Sequence, residues 1–226
     1  MKITFLGHAC ILIETKDKTV LIDPFITGNP LAKHIKIDDL KPDYILITHA
    51  HEDHILDVET IAKNSGALLV ANHEIINYYA AKGFKGHSMN IGGSFKFDFG
   101  RIFCTTAVHS SSFPDGTYGG LACGFILETS HHRVYIAGDT ALTHDMRIIP
   151  KVFGRLDLAI LPIGDNFTMG INAAAVAAGF LLCDHILGYH YDTFDAIKLD
   201  KEKAMKRFEQ MEKDLYLLPI GDCLKI

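Results

Sequence analysis

Residues 44–54 read YILITHAHEDH, and the architecture of the chain can be argued outward from them. Tyr44, Ile45, Leu46 and Ile47 make a short apolar run of the kind that forms a buried strand. Directly after it, His49, His51, Asp53 and His54 fall within the seven residues THAHEDH. Neutral imidazole and carboxylate are the usual ligands of borderline first-row dications. In an extended segment alternate side chains point the same way, so His49 and His51 converge on one ion. Asp53 and His54 follow where the chain turns towards a helix beginning near Ile55, and can face a second ion beside the first. A cluster this dense at the end of a buried strand is a candidate metal centre.

Three further candidate ligands each close a strand-like run. His109 ends GGSFKFDFGRIFCTTAVH (92–109), Asp139 ends ACGFILETSHHRVYIAGD (122–139), and His190 ends HILGYH (185–190). Asp23 ends an earlier one, ACILIETKDKTVLID (9–23). All of them therefore sit at strand ends, where loops on one edge of a sheet sandwich can meet.

These runs also repeat. Residues 9–23 and 122–139 each read as a hairpin ending in Asp, and LKPDYILIT (40–48) is echoed by GRLDLAILPI (154–163). A helical segment follows in each half (55–64 and 172–183), then a short strand (67–73 and 185–190). Helices must hide one stripe and sheets one face, so two such halves would bury their sheets against each other. The expected fold is α/β, a four-layer αββα sandwich of two similar halves, formed as a single domain over residues 1–226. Elsewhere the pattern predicts a helix over 74–82, a hairpin through Gly100, a charged helix over 200–213, and a closing strand and tail over 215–226.

Bulk properties narrow the function classes. The 226 residues are 48% hydrophobic and 22% charged, an ordinary globular composition. A net charge of -5 offers no basic footprint, so no nucleic-acid partner is expected. No stretch is long enough to span a bilayer, and no membrane partner is expected. The opening MKITFLGHACILIE is strand-like and has no signal-peptide grammar. The five cysteines form no CxxC pair, which suits thiols packed in a reducing compartment; the expected location is cytoplasmic.

HxHxDH followed by a later His, Asp and His resembles the metallo-β-lactamase superfamily, and the match runs over essentially the whole chain. GHAC at residues 7–10, PIGDNFTMG (162–170) and YHYDTF (189–194) resemble a branch of small metal-dependent hydrolases similar to the ascorbate-phosphate lactonases. The resemblance implies a dinuclear site in which His49, His51 and His109 hold one metal. Asp53, His54 and His190 would hold the other, with Asp139 between them. Asp23 would orient a histidine ligand from behind. Two dications about 3.5 Å apart repel by on the order of 20 kcal/mol at an effective dielectric near 20, which is why carboxylates are needed between them. Zinc is the expected metal, and manganese, iron and nickel suit the same donors.

The function expected on this basis is hydrolysis of an ester, lactone or phosphodiester of a small, anionic metabolite by a hydroxide bridging the two metals. Asp53 doubles as a candidate proton shuttle. His8, Asn166 and Thr168 are candidate substrate-binding residues, and association into a homo-oligomer is compatible with the sequence. The alternatives are a mononuclear-iron dioxygenase and a non-catalytic, metal-dependent metabolite sensor.

Overall fold

A computed structural model describes residues 1–226. The first half contributes β1 (Lys2–Gly7), β2 (Cys10–Glu14), β3 (Thr19–Ile22), β4 (Tyr44–Leu46), β5 (Leu68–Asn72) and β6 (Gly86–Met89). The second contributes β7 (Ser94–Phe97), β8 (Gly100–Thr106), β9 (Cys123–Glu128), β10 (Arg133–Ile136), β11 (Leu158–Pro162) and β12 (His185–Tyr189). The tail adds β13 (Asp214–Tyr216) and β14 (Cys223–Lys225). The helices are α1 (Glu52–Ile55), α2 (Val58–Ser65), α3 (His73–Ala81), α4 (Ile149–Phe153), α5 (Ile171–Phe180) and α6 (Lys201–Glu209). None is long and apolar enough to cross a membrane.

The strands form two seven-stranded sheets, ordered β14-β1-β2-β3-β4-β5-β6 and β13-β12-β11-β10-β9-β8-β7. In each, the hairpin strands pair antiparallel and the strands linked through helices pair parallel. β2–β3 and β9–β10 are equivalent, as are β4 and β11, so the internal repeat extends to topology. One strand breaks the parallel. Residues 215–226, expected as one strand and tail, divide between the sheets: β13 stays in the second sheet, and β14 crosses to pair with β1 of the first. Pro219 and Gly221 (φ +96°) make the turn between them, and Gly221 donates its N–H to the Phe5 carbonyl at 2.7 Å.

Three apolar clusters account for the four layers. Ile3, Ile11, Ile22, Leu46 and Val70 of the first sheet meet Phe125, Ile136, Ile160 and Leu187 of the second. The alternate residues Leu21, Ile45, Ile47 and Leu69 face outward under Val58, Ile61 and Ile75. Tyr135, Ala159 and Leu161 lie under α5 and α6 through Ala174, Ala178 and Phe208. Period-two alternation thus sends one face of each strand to the centre and the other to the helices.

The helix expected over 55–64 is instead broken between α1 and α2. Asp57 is the cause. It is buried, and its carboxylate accepts from the Ile26 and Thr27 amides (2.6 and 2.9 Å) and from the Thr27 hydroxyl (2.5 Å), so it serves the loop after β3 rather than the helix. The helix at 200–213 ends earlier, at Glu209.

Candidate metal centre

The parallel strands β3, β4, β10 and β12 end on the same rim, and the chain leaves each through a residue suited to a metal. Asp23 follows β3 in left-handed backbone (φ +44°), and His190 follows β12 the same way (φ +57°). Such conformations cost L-residues energy and persist where the surrounding fold over-determines them. His109 lies after β8, and Asp139 follows Gly138 at the end of β10.

Besides the buried trio Asp23, His49 and His54, two groups of potential ligands form there, each with its donor atoms within 4.8 Å of one another. His49, His51 and His109 make one; Asp53, His54, His190 and His8 make the other. Asp139 lies between them. Its Oδ2 is 3.0 Å from His190 Nε2, 3.4 Å from His54 Nε2 and 3.6 Å from His109 Nε2. The seven residues singled out by spacing in the sequence therefore converge, although they come from four separate segments.

Behind them a hydrogen-bond chain sets tautomers. Asp23 accepts from the Thr48 amide (2.8 Å), the Thr48 hydroxyl (2.6 Å) and His54 Nδ1 (2.9 Å). With its one proton given to Asp23, the Thr48 hydroxyl accepts from His49 Nδ1 at 3.0 Å. One carboxylate thus fixes two imidazoles, His54 directly and His49 through Thr48, and leaves both Nε2 lone pairs pointing into the centre. Thr48 was invisible as a functional residue in the sequence; its only signal is a hydroxyl immediately before the first histidine. Thr48→Val, which keeps the shape and removes that relay, is expected to weaken metal binding by about 10–100-fold. A metal titration followed by calorimetry checks this, with circular dichroism showing the fold retained.

The donor set fits a cation. His54 Nε2, His190 Nδ1 and Asp139 Oδ1 are buried and have no hydrogen-bond partner. His49 Nε2 and His51 Nδ1 lie 2.9 Å apart, a hydrogen bond when His51 carries its proton on Nδ1 and two lone pairs free for one cation when it carries it on Nε2. Buried polar atoms are normally satisfied, and converging lone pairs repel unless positive charge sits among them. The electrostatics agree. Burial alone would raise the Asp139 carboxyl, but His190 and His54 hold it well below the usual carboxylate range. Burial would likewise raise Asp53, yet His190, His54 and His8 hold it low. Burial pushes the His49 imidazole down. It opposes protonation of His54 too, but Asp139 and Asp23 drive that imidazole well up.

Above the centre opens a cavity of about 470 Å³. Its floor is His51, Asp53, His109, Asp139 and His190, and its walls are Ser110, Phe167, Phe194 and Ala196. Of the sequence candidates for substrate contact, none lines it. His8 is buried (1% exposed) behind Asp53, with Nε2 2.9 Å from Asp53 Oδ2 and Nδ1 2.9 Å from the Thr193 hydroxyl. Burial, then the neighbouring His190, lowers its pKa to about 4, so neutral His8 donates from Nε2 to the carboxylate. Asn166 and Thr168 lie in the loop that borders the cavity, but the side chain that reaches it is the one between them, Phe167. Phe194 was also missed, because an aromatic residue in a loop carries no local mark of what it faces.

The Beta-lactamase superfamily domain model matches residues 18–218. A UPF0173 metal-dependent hydrolase of Flavobacterium johnsoniae is 58% identical over 226 residues, covering all of both chains. The chain belongs to this family of metal-dependent hydrolases within the beta-lactamase superfamily. A second family relative, from Christiangramia forsetii, is 56% identical over the full length of both proteins. Among solved structures, Igni18, a metallo hydrolase from the archaeon Ignicoccus hospitalis, superposes with a TM-score of 0.89 at 35% identity, covering 99% of this chain and 97% of that one. The two sheets flanked by helices are the metallo-β-lactamase fold, and the converging histidines lie on the rim of that superfamily sandwich.

Proposed function

We propose that this chain is a dinuclear metal hydrolase acting on an ester, lactone or phosphodiester. His49, His51 and His109 would hold one ion, and Asp53, His54 and His190 the other, with Asp139 shared between them. The observation that carries this reading is the position of Asp139 Oδ2, within 3.6 Å of imidazoles from both groups. Two such ions lower the pKa of bound water towards neutrality and polarise a carbonyl or phosphoryl oxygen. Zinc is the proposed metal, since five imidazoles and two carboxylates without a thiolate suit it.

The chain's own residues supply the rest. Asp23 and Thr48 hold two imidazoles in the tautomer that directs Nε2 inward. His8 holds Asp53 by one oxygen. With its side chain 27% exposed, against 3% for Asp139, Asp53 is the more open of the two carboxylates on the cavity floor. It is the group placed to take a proton from the attacking water and pass it to the leaving oxygen. The buried imidazoles and the apolar strand ends beneath them restrict water to the cavity side.

Metal analysis tests the reading. The purified chain, reconstituted with zinc, is expected to hold two ions and to hydrolyse at least one member of a panel of lactones, carboxylic esters and phosphodiesters. One iron per chain with oxygen consumption would overturn it, as would tight metabolite binding with no turnover of any panel member.

A further inference from the structure

The walls of the cavity have a chemistry distinct from its floor. None of the residues lining it is a lysine or arginine, so recognition of negative charge is confined to the metal centre itself. The walls are aromatic: Phe167 is 56% exposed and Phe194 38% exposed, both beside one of the most polar clusters in the molecule. A large apolar side chain held in water next to a catalytic floor points to contact with an apolar ligand.

Both rings are presented on stiffened loops. Asp165 and Asn166, immediately before Phe167, adopt consecutive left-handed conformations (φ +65° and +58°) that L side chains seldom take. The turn is closed by Phe167 N–H to the Asp165 carbonyl (2.6 Å) and Asp165 N–H to the Met169 carbonyl (3.1 Å), and a bridge joins Gly164 to Gly170. Across the cavity Asp192 is left-handed too (φ +65°). Its N–H reaches the Ile197 carbonyl at 2.8 Å, and its carboxylate accepts from the Leu199 amide at 2.9 Å. Phe194 stands edge-on to His8, with ring centroids 5.4 Å apart, and packs near Phe25 at 6.3 Å. The nearby cations pair on the surface and do not line the cavity: Lys198 with Asp195 (2.9 Å), and Lys201, at the start of α6, with Asp192 (3.3 Å). Loop 164–170 follows β11 as the histidine motif follows β4, so the two halves supply the two parts of the site: one the ligands, the other the wall.

We infer that the substrate is a carboxylic ester or lactone whose acyl part carries an uncharged aryl or branched alkyl group, held between Phe167 and Phe194. This rests on the hydrolytic reading above and narrows it, away from the small, anionic metabolite that the sequence suggested. Water adds across the acyl C–O bond, giving the acid and the alcohol from an ester or a single hydroxy acid from a lactone, and the acid retains the apolar group in the cavity until it leaves.

The product acids give a direct test. Acetate, phenylacetate and succinate are titrated by calorimetry into the protein loaded with two equivalents of zinc. Phenylacetate is expected to bind at least about tenfold more tightly than acetate or succinate, equivalent to ~1.4 kcal/mol. Phe167→Ala is expected to compress that preference to within about threefold (~0.7 kcal/mol), with two zinc ions per chain still bound, and Phe167→Leu to restore part of it. Equal affinities for acetate and phenylacetate, or tightest binding of succinate, would overturn the inference while leaving a zinc-dependent hydrolase intact. Binding of none of the three acids would likewise overturn the inference alone, whereas failure of the zinc-replete chain to turn over any lactone, carboxylic ester or phosphodiester of the panel would overturn the hydrolytic reading, and the inference with it.

Discussion

Asp139→Asn lowers turnover by on the order of a thousandfold, a loss of ~4 kcal/mol in transition-state stabilisation, while the chain stays folded. The substitution keeps the side chain's size and removes one charge. That charge is shared by His190, His54 and His109, all within 3.6 Å of a single oxygen. Without it, two dications at ~3.5 Å lose the anionic group between them against a mutual repulsion on the order of 20 kcal/mol at an effective dielectric near 20. The expected result is a chain with fewer than two zinc ions, little or no hydrolysis, and an unchanged far-ultraviolet circular dichroism spectrum. The fold survives because Asp139 makes its ion pairs within the centre, while the apolar clusters hold the sandwich. His51→Ala is expected to do the same from the other group of ligands. Full activity in either variant with metal content measured would refute the ligand assignment.

Chelation of the metal-loaded chain lowers its melting temperature by about 10 °C. A ligand present at about a thousand times its Kd stabilises the folded state by ~4 kcal/mol. Each kcal/mol moves the melting temperature of a domain near this size by ~2–4 °C. The metal-free chain should also depend on pH in a stated direction. Burial alone would lower the His190 pKa, but Asp139 and then Asp53 raise it to about 9. A group whose folded pKa lies above its unfolded value, ~6.5 for histidine, stabilises fully below that value and ceases to do so as pH rises through the folded pKa. Differential scanning calorimetry of the chelated protein should therefore show stability declining between pH ~6.5 and about 9. The zinc-loaded protein should be flat over that interval, since metal takes the place of the proton. A melting temperature indifferent to chelator would sink the proposed centre.

Much of this centre could be read along the chain because ligand chemistry is carried by residue type. His49 and His51 share a side of an extended segment whatever surrounds them, and His109, Asp139 and His190 each stand at the end of a visibly apolar run. The repeated hairpin-strand-helix-strand order was legible for the same reason, since alternation and helical periodicity are local. What escaped was non-local. Asp57 breaks a helix to serve residues 26 and 27. The segment after Pro219 leaves one sheet for the other. Nothing in the adjacent sequence specifies either partner.

His8 and Phe167 mark the boundary most sharply. The sequence placed His8 near the centre, by resemblance, but its hydrogen bonds to Asp53 and Thr193 span 45 and 185 residues, and only folding turns it from cavity wall to buried support. The loop around Phe167 was identified by its equivalence to the histidine motif, but which of Asn166, Phe167 and Thr168 enters the cavity depends on two left-handed residues. Sequence alone determined the layers, the repeat and the seven candidate ligands, because periodicity and donor chemistry are properties of short segments. Tertiary structure alone decided tautomers, the sharing of Asp139 and the apolar walls, because these depend on distances between segments that chain order does not encode.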